Sequence, residues 1–189
     1  MTAVLRHFEA FLMLQTTSKR RPLALLFLGI MLPGPLKYLF VFLLISKLIY
    51  LDIASRKMKM ILSFPFSRAE VFIFSYILGI MIVFCGSVTG ESFFTGSIDP
   101  VLIPSLMIFY SAYFGVFVLV CMKGASSITL PVFLLIADLS AGSYGSFETN
   151  VFSWISPLYH KDMIYASVFS ALVLAVSFIL FVNDRREKW

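Results

Sequence analysis

Three stretches of about twenty residues, 69–89, 101–122 and 163–182, hold one charged side chain among them, Glu70 near an end. A bilayer core about 30 Å thick takes roughly 20 apolar residues as helix. Lipid offers no partner to a free amide or carbonyl, so runs like these must become helices. A fourth run, 127–146, is of similar length but contains Asp138, Gly142 and Gly145. The remainder leaves no material for a soluble domain. Of 189 residues 60% are hydrophobic and 13% charged, with a mean hydropathy of +0.95, whereas soluble domains carry about 25% charged residues. The expectation is an all-α integral membrane protein, one transmembrane domain over 1–189.

Residues Pro22–Ile53 are apolar for about 30 residues but are broken by Pro33-Gly34-Pro35, with Lys37 and Lys47 beyond. Proline disrupts a helix at its own position and restricts the residue before it. The pattern predicts a short span over 18–33 that turns at Pro33–Pro35 into a second over 36–53. One long kinked helix is the alternative. Charge placement favours the hairpin. Arg6, Lys19, Arg20 and Arg21 precede the first span, and Arg56, Lys57, Lys59 and Arg68 fill the connection after the second. Lys123 follows the fourth span, and Arg185, Arg186 and Lys188 end the chain. With six crossings and both termini cytoplasmic these all fall inside, leaving Lys37 and Lys161 outside beside Glu91, Asp99, Glu148 and Asp162. That is the positive-inside pattern. It also accounts for the net charge of +5 without nucleic acid.

Ahead of the first span, Val4, Phe8, Phe11, Leu12 and Gln15 follow helical spacing, with Arg6, His7 and Glu9 on other sides. Residues 3–16 therefore read as an interfacial amphipathic helix on the cytoplasmic leaflet. The same charges interrupt any apolar core that a cleavable signal peptide would need. Cys85 and Cys121 sit in separate apolar runs and read as buried small residues, not as a disulfide or metal pair.

The stretch Asp52–Ile80 carries the most information. A basic segment with helical potential, Ile53–Leu62, leads to a proline turn at Phe64–Phe66 and then to a helix start. Ser67 with Glu70 three residues on has the form of a capping box. Met58, Met60, Ile61 and Leu62 are too apolar for a freely solvated loop; they either dock on a partner or rest on the membrane. The run MILSFPFSRAEVFIFSYILG resembles a segment of ABC-2 type transporter permeases, through Leu62, Ser63, Pro65, Ser67, Arg68 and Glu70. WISPLYH, Trp154–His160, is similar to the segment preceding the last span in that family, where short re-entrant helices lie on the outer side. A lysine often found in the family's third helix is replaced near Ser75.

The resemblance implies six spans, a cell-membrane location and a short cytoplasmic coupling helix between spans two and three. That helix would be Ile53–Leu62, with Ile53, Ser55, Arg56, Lys57, Met58, Lys59 and Met60 meeting a cytoplasmic ATPase subunit. No G-x-x-x-x-G-K-[ST] loop exists in this chain, so ATP and Mg would be held by that partner, with no cofactor here. A second permease half, identical or related, is implied too, and the family's members are mostly exporters.

Asp138 is the one acidic residue deep in a predicted span. Such residues face a bundle interior, a cavity or a partner, so Asp138 is expected to touch cargo, to pair with Lys47, or to bond to backbone or Ser140. Gly142 and Gly145, in the small-residue run Ser140–Ser146, permit close helix approach or a break in the pathway. His160 with Asp162 supplies too few ligands for a metal, and Trp154, Tyr159 and Tyr165 suit an interfacial aromatic belt. No intramembrane catalytic constellation stands out. The rival to a permease is an accessory or assembly subunit that binds partners without moving cargo.

Overall fold

The computed structural model describes residues 2–50, 66–122, 129–143, 150, 152–160 and 162–183, and among them it is helical with no strand. The helices are α1 (Thr2–Met31), α2 (Leu36–Ile45, prolonged by a π-turn over Ser46–Tyr50), α3 (Arg68–Phe94), α4 (Leu102–Met122), α5 (Thr129–Ser143), the short α6 (Phe152–Ile155) and α7 (Met163–Asn183). Of these, α3, α4 and α7 are long and apolar enough to cross a membrane. The chain is compatible with a membrane protein on that ground.

α1 is two helices joined at a break. Lys19 leaves helical geometry (φ −122°, ψ 17°) three residues before Pro22. A proline ring inside a helix collides with the carbonyl four residues earlier, here that of Ser18, and the distortion at Lys19 relieves this. The Lys19 ammonium then donates to the carbonyls of Lys47 and Leu48 at 2.8 and 3.2 Å, occupying acceptors that the end of α2 cannot satisfy internally.

At the other end, Gly34 takes the left-handed conformation (φ 88°) and closes a turn between the two prolines. Phe40 lies across Gly29, where a Cβ would come within 2.2 Å of its ring. With Gly29 on Phe40 and Lys19 on Lys47 and Leu48, the second half of α1 and α2 run antiparallel. They form the hairpin, not one kinked helix. Its arms are short: residues 20–31 cover about 18 Å and 36–50 about 22 Å.

From α1 to α4, successive helices alternate in direction. α1 runs alongside α3 in the same sense, from Phe8 on Phe74 to Ile30 beside Gly86 and Met31 against Gly90. α2 runs with α4 through Tyr38 on Phe109 and Phe42 on Phe117. α3 opposes α4, pairing Phe72 with Phe114 and Tyr76 with Tyr110. α7 runs with α4, Ser170 donating to the Ile108 carbonyl and Val173 meeting Gly115. Gly86 and Gly90 face α1 at one-turn spacing; a Cβ at Gly90 would lie 2.3 Å from the Met31 carbonyl oxygen. Small residues at that spacing let helix backbones touch.

Phe11, fully buried, sits against Phe66 and Phe74, and Phe181 near the end of α7 sits against Phe72. The N-terminal half of α1, the start of α3 and the end of α7 therefore share one end of the bundle.

Candidate functional site

Two arrangements stand out, one at an end of the bundle and one near the middle of α4. At the end shared by the N-terminal half of α1 and the end of α7, Ser67 caps α3. Its hydroxyl accepts from the Glu70 amide at 3.2 Å, while Glu70 Oε2 accepts from the Ser67 amide at 2.7 Å and its hydroxyl at 2.9 Å. This is the capping box expected from the sequence. The other Glu70 oxygen lies 3.1 Å from His7 Nδ1, and the His7 ring meets the edge of Phe66. The amphipathic face of α1 is the one that docks: Phe11 and Gln15 are buried, Phe8 and Leu12 partly so. α1 is thus fastened to α3 at Phe66–Glu70, where the connection from α2 enters. Arg68 is half-buried in the first turn. Ile53, Ser55, Arg56, Lys57, Met58, Lys59 and Met60 lie outside the described residues, as do Leu62, Ser63 and Pro65.

Near the middle of α4, α5 places Asp138 against Tyr113 and the turn after α6. Its carboxylate accepts from the Tyr113 hydroxyl at 3.1 Å and the Ser156 hydroxyl at 2.5 Å. Ser156 is itself fixed. Its amide donates to the Phe152 carbonyl at 3.0 Å, and its oxygen accepts from the Leu158 and Tyr159 amides at 3.2 and 2.9 Å. The WISPLYH segment is therefore wound around one serine whose proton is committed to Asp138. Asn150 joins α5 to α6 by donating to the Ala141 carbonyl at 2.6 Å and accepting from the Phe152 amide at 3.0 Å. His160 Nε2 lies 3.0 Å from Ser105 on α4, and Trp154 packs on Tyr165.

Of the partners named from the sequence for Asp138, backbone is used, through the Leu158 amide, while Lys47 and Ser140 are not. Lys47 is exposed, beside Lys19 at the open end of the hairpin. Ser140 points along its own helix and donates to Ile136 at 2.7 Å. Asp138 and Ser140 lie two residues apart, which on a helix places them on different faces. Gly142 falls in the last turn of α5; Gly145 lies outside the described residues.

A second polar contact was also missed. Lys37 and Glu91, expected in outer loops, form a buried ion pair between α2 and α3. The span expected to end at 89 continues as helix to Phe94. The close approach of Met31 to Gly90 then brings the hairpin turn down over Glu91.

Beside Asp138 opens a cavity of about 200 Å³. Ala112, Tyr113, Leu134, Phe152 and Phe169 help to line it, and the Asp138 carboxylate is the charged group in its wall. Among the described residues no three metal-ligating side chains converge, and Asp138 has no lysine or arginine partner. The arrangement can hold an apolar molecule and offer its polar end a fixed acceptor. Comparison with protein-family models, with curated proteins and with solved structures finds no match to this chain.

Proposed function

We propose that this chain is the transmembrane permease subunit of an ATP-driven transporter of the ABC-2 type, working as an exporter in the cell membrane. One observation carries the reading: α1 is fastened to the start of α3 by Phe11, His7 and Glu70, at the end where the basic segment 53–62 leaves α2 for α3. A pushing force on that segment has a rigid lever to act on, since the capping box and the α1 contact tie its exit to the longest apolar helix. The alternating direction of α1 to α4, with the N-terminal half of α1 and the end of α7 at that same end, fits six crossings with both termini cytoplasmic. ATP and Mg belong to a separate ATPase subunit. The path for cargo runs between this bundle and a second permease half, identical or related.

The test is affinity capture of the tagged, detergent-solubilised chain followed by mass spectrometry. An Arg56→Glu, Lys57→Glu, Lys59→Glu variant serves as the comparison. The wild type is expected to recover an ATPase subunit that the variant loses. A stable wild-type complex without any ATPase would replace the permease reading with that of an accessory subunit.

A further inference from the structure

The cavity beside Asp138 is walled by α4, α5, the α6 turn and α7, at the level of Ala112 to Val116 of α4. We infer that it is a binding site for a hydrophobic amine, with the ammonium group on Asp138 and the hydrocarbon in the cavity. The inference goes beyond the transporter reading and stands whether or not an ATPase partner exists.

Three observations support it. Size comes first: an apolar cavity of about 150 Å³ suffices to hold a benzene ring, and this one is about 200 Å³. The second is the carboxylate. Asp138 is 5% exposed and takes one hydroxyl on each oxygen, whereas a carboxylate offers about four acceptor positions. Tyr113, Ser156 and the Leu158 amide are neutral donors, the His160 imidazole is a nearby group able to offer positive charge, and no lysine or arginine among the described residues balances the carboxylate. A buried acid in an apolar setting calls for a cation. The third is the aromatic lining. Tyr113, Phe152 and Phe169 share the cavity with the carboxylate, and ring faces attract ammonium groups most strongly where water is excluded. An alcohol would meet the same acceptor without the charge, and an anionic amphiphile would be repelled.

The same chemistry is carried by a free hydrophobic amine and by a lipid with a primary amine head, and the experiment separates them. The purified full chain is placed in phosphatidylcholine nanodiscs and photolabelled with a diazirine-bearing octylamine, and labelled residues are mapped by mass spectrometry. Unlabelled octylamine is expected to suppress labelling at Leu134, Phe152 and Phe169 at a concentration about tenfold below that needed for octanol or octyl sulfate. Asp138→Asn keeps the size of the side chain and is expected to abolish that preference. Leu134→Trp fills the cavity from its exposed rim and is expected to remove labelling altogether. Suppression by added phosphatidylethanolamine assigns the site to a lipid amine, and no suppression assigns it to a free amine. Equal competition by octylamine, octanol and octyl sulfate on the wild type overturns the inference, and this comparison needs no variant to fold. Labelling confined to the outward face of α7, around Leu172, overturns it equally, because that pattern is simple partitioning into lipid.

Discussion

α4 and α7 are both 21 residues long, with mean hydropathies of 2.0 and 2.4 over their most apolar stretches, yet 72% of that stretch is buried in α4 and 22% in α7. Hydropathy measures how well a helix tolerates leaving water; it does not say whether protein or lipid receives it. What differs is the distribution of small and aromatic residues. α4 is covered on most sides, with Phe109, Tyr110, Phe114 and Phe117 against α2 and α3 and Gly115 turned to a close approach by Val173 of α7. α7 buries a narrow seam of Ala166, Ser170, Ser177 and Phe181. Its other faces present Ile164, Val168, Leu172, Val176 and Ile179 outward. In a bilayer there is little hydrophobic drive between helices, so close packing and hydrogen bonds hold such a centre together.

The most severe way to break that contrast is through the ion pair that closes the centre on its α2 side. Lys37 is fully buried and Glu91 is 6% exposed. Lys37→Met leaves the glutamate without its counter-charge, and losing one partner of a buried pair costs about 3–5 kcal/mol. Chemical unfolding in detergent should show that loss. The double variant Lys37→Met, Glu91→Met should recover most of it, because two apolar side chains of similar size remove both desolvated charges together. If Lys37→Met unfolds like the wild type, the pair does not hold the centre and the hairpin is free to leave α3.

Next in size is Phe114→Ala. The ring lies 5.2 to 5.6 Å from those of Phe72, Tyr76 and Tyr110. Truncation in a core costs about 3–5 kcal/mol in water. In lipid the transfer part shrinks while the cavity and the lost contacts remain, so about 2 kcal/mol is expected by the same unfolding measurement. A cost below about 0.5 kcal/mol would mean that lipid reaches the ring, and α4 would lose its standing as the centre.

These residues also mark what the sequence made legible. Length and apolarity located α4 and α7 to within a residue or so. The Pro33–Pro35 break announced the hairpin, and Ser67 with Glu70 announced the cap on α3. All of these are local signals, set by residues a few positions apart. Lys37 with Glu91, Asp138 with Ser156 and Ser105 with His160 depend on which helix faces meet, and nothing local fixes that. Lys37 read as an outer-loop charge because six crossings with cytoplasmic termini put the Pro33–Pro35 turn outside. Only the close approach at Gly90 places it under the hairpin. The glycine spacing at Gly86 and Gly90 was the one available clue, since small residues four apart mark a helix contact, though they do not name the partner helix.

The smallest expected effect sharpens the comparison most. Leu172 is 60% exposed in the middle of the outward stripe of α7. If lipid is what covers that stripe, Leu172→Ala exchanges one lipid-solvated side chain for a smaller one, opens no cavity, and should change stability by no more than about 0.5 kcal/mol. Buried leucines truncated the same way lose about 2–5 kcal/mol, so the two cases are well separated. A large loss would mean that protein covers the stripe. A second copy or another subunit would then lie along α7, and the loss should diminish as the complex is diluted in detergent, because only the assembled state contains the contact. Unfolding at two protein concentrations, with size-exclusion chromatography at each, decides between them. A loss that is small and independent of concentration leaves α7 as the lipid-facing wall of the bundle. A large loss that fades on dilution turns α7 into an interface and puts its apolar stripe in the same class as α4.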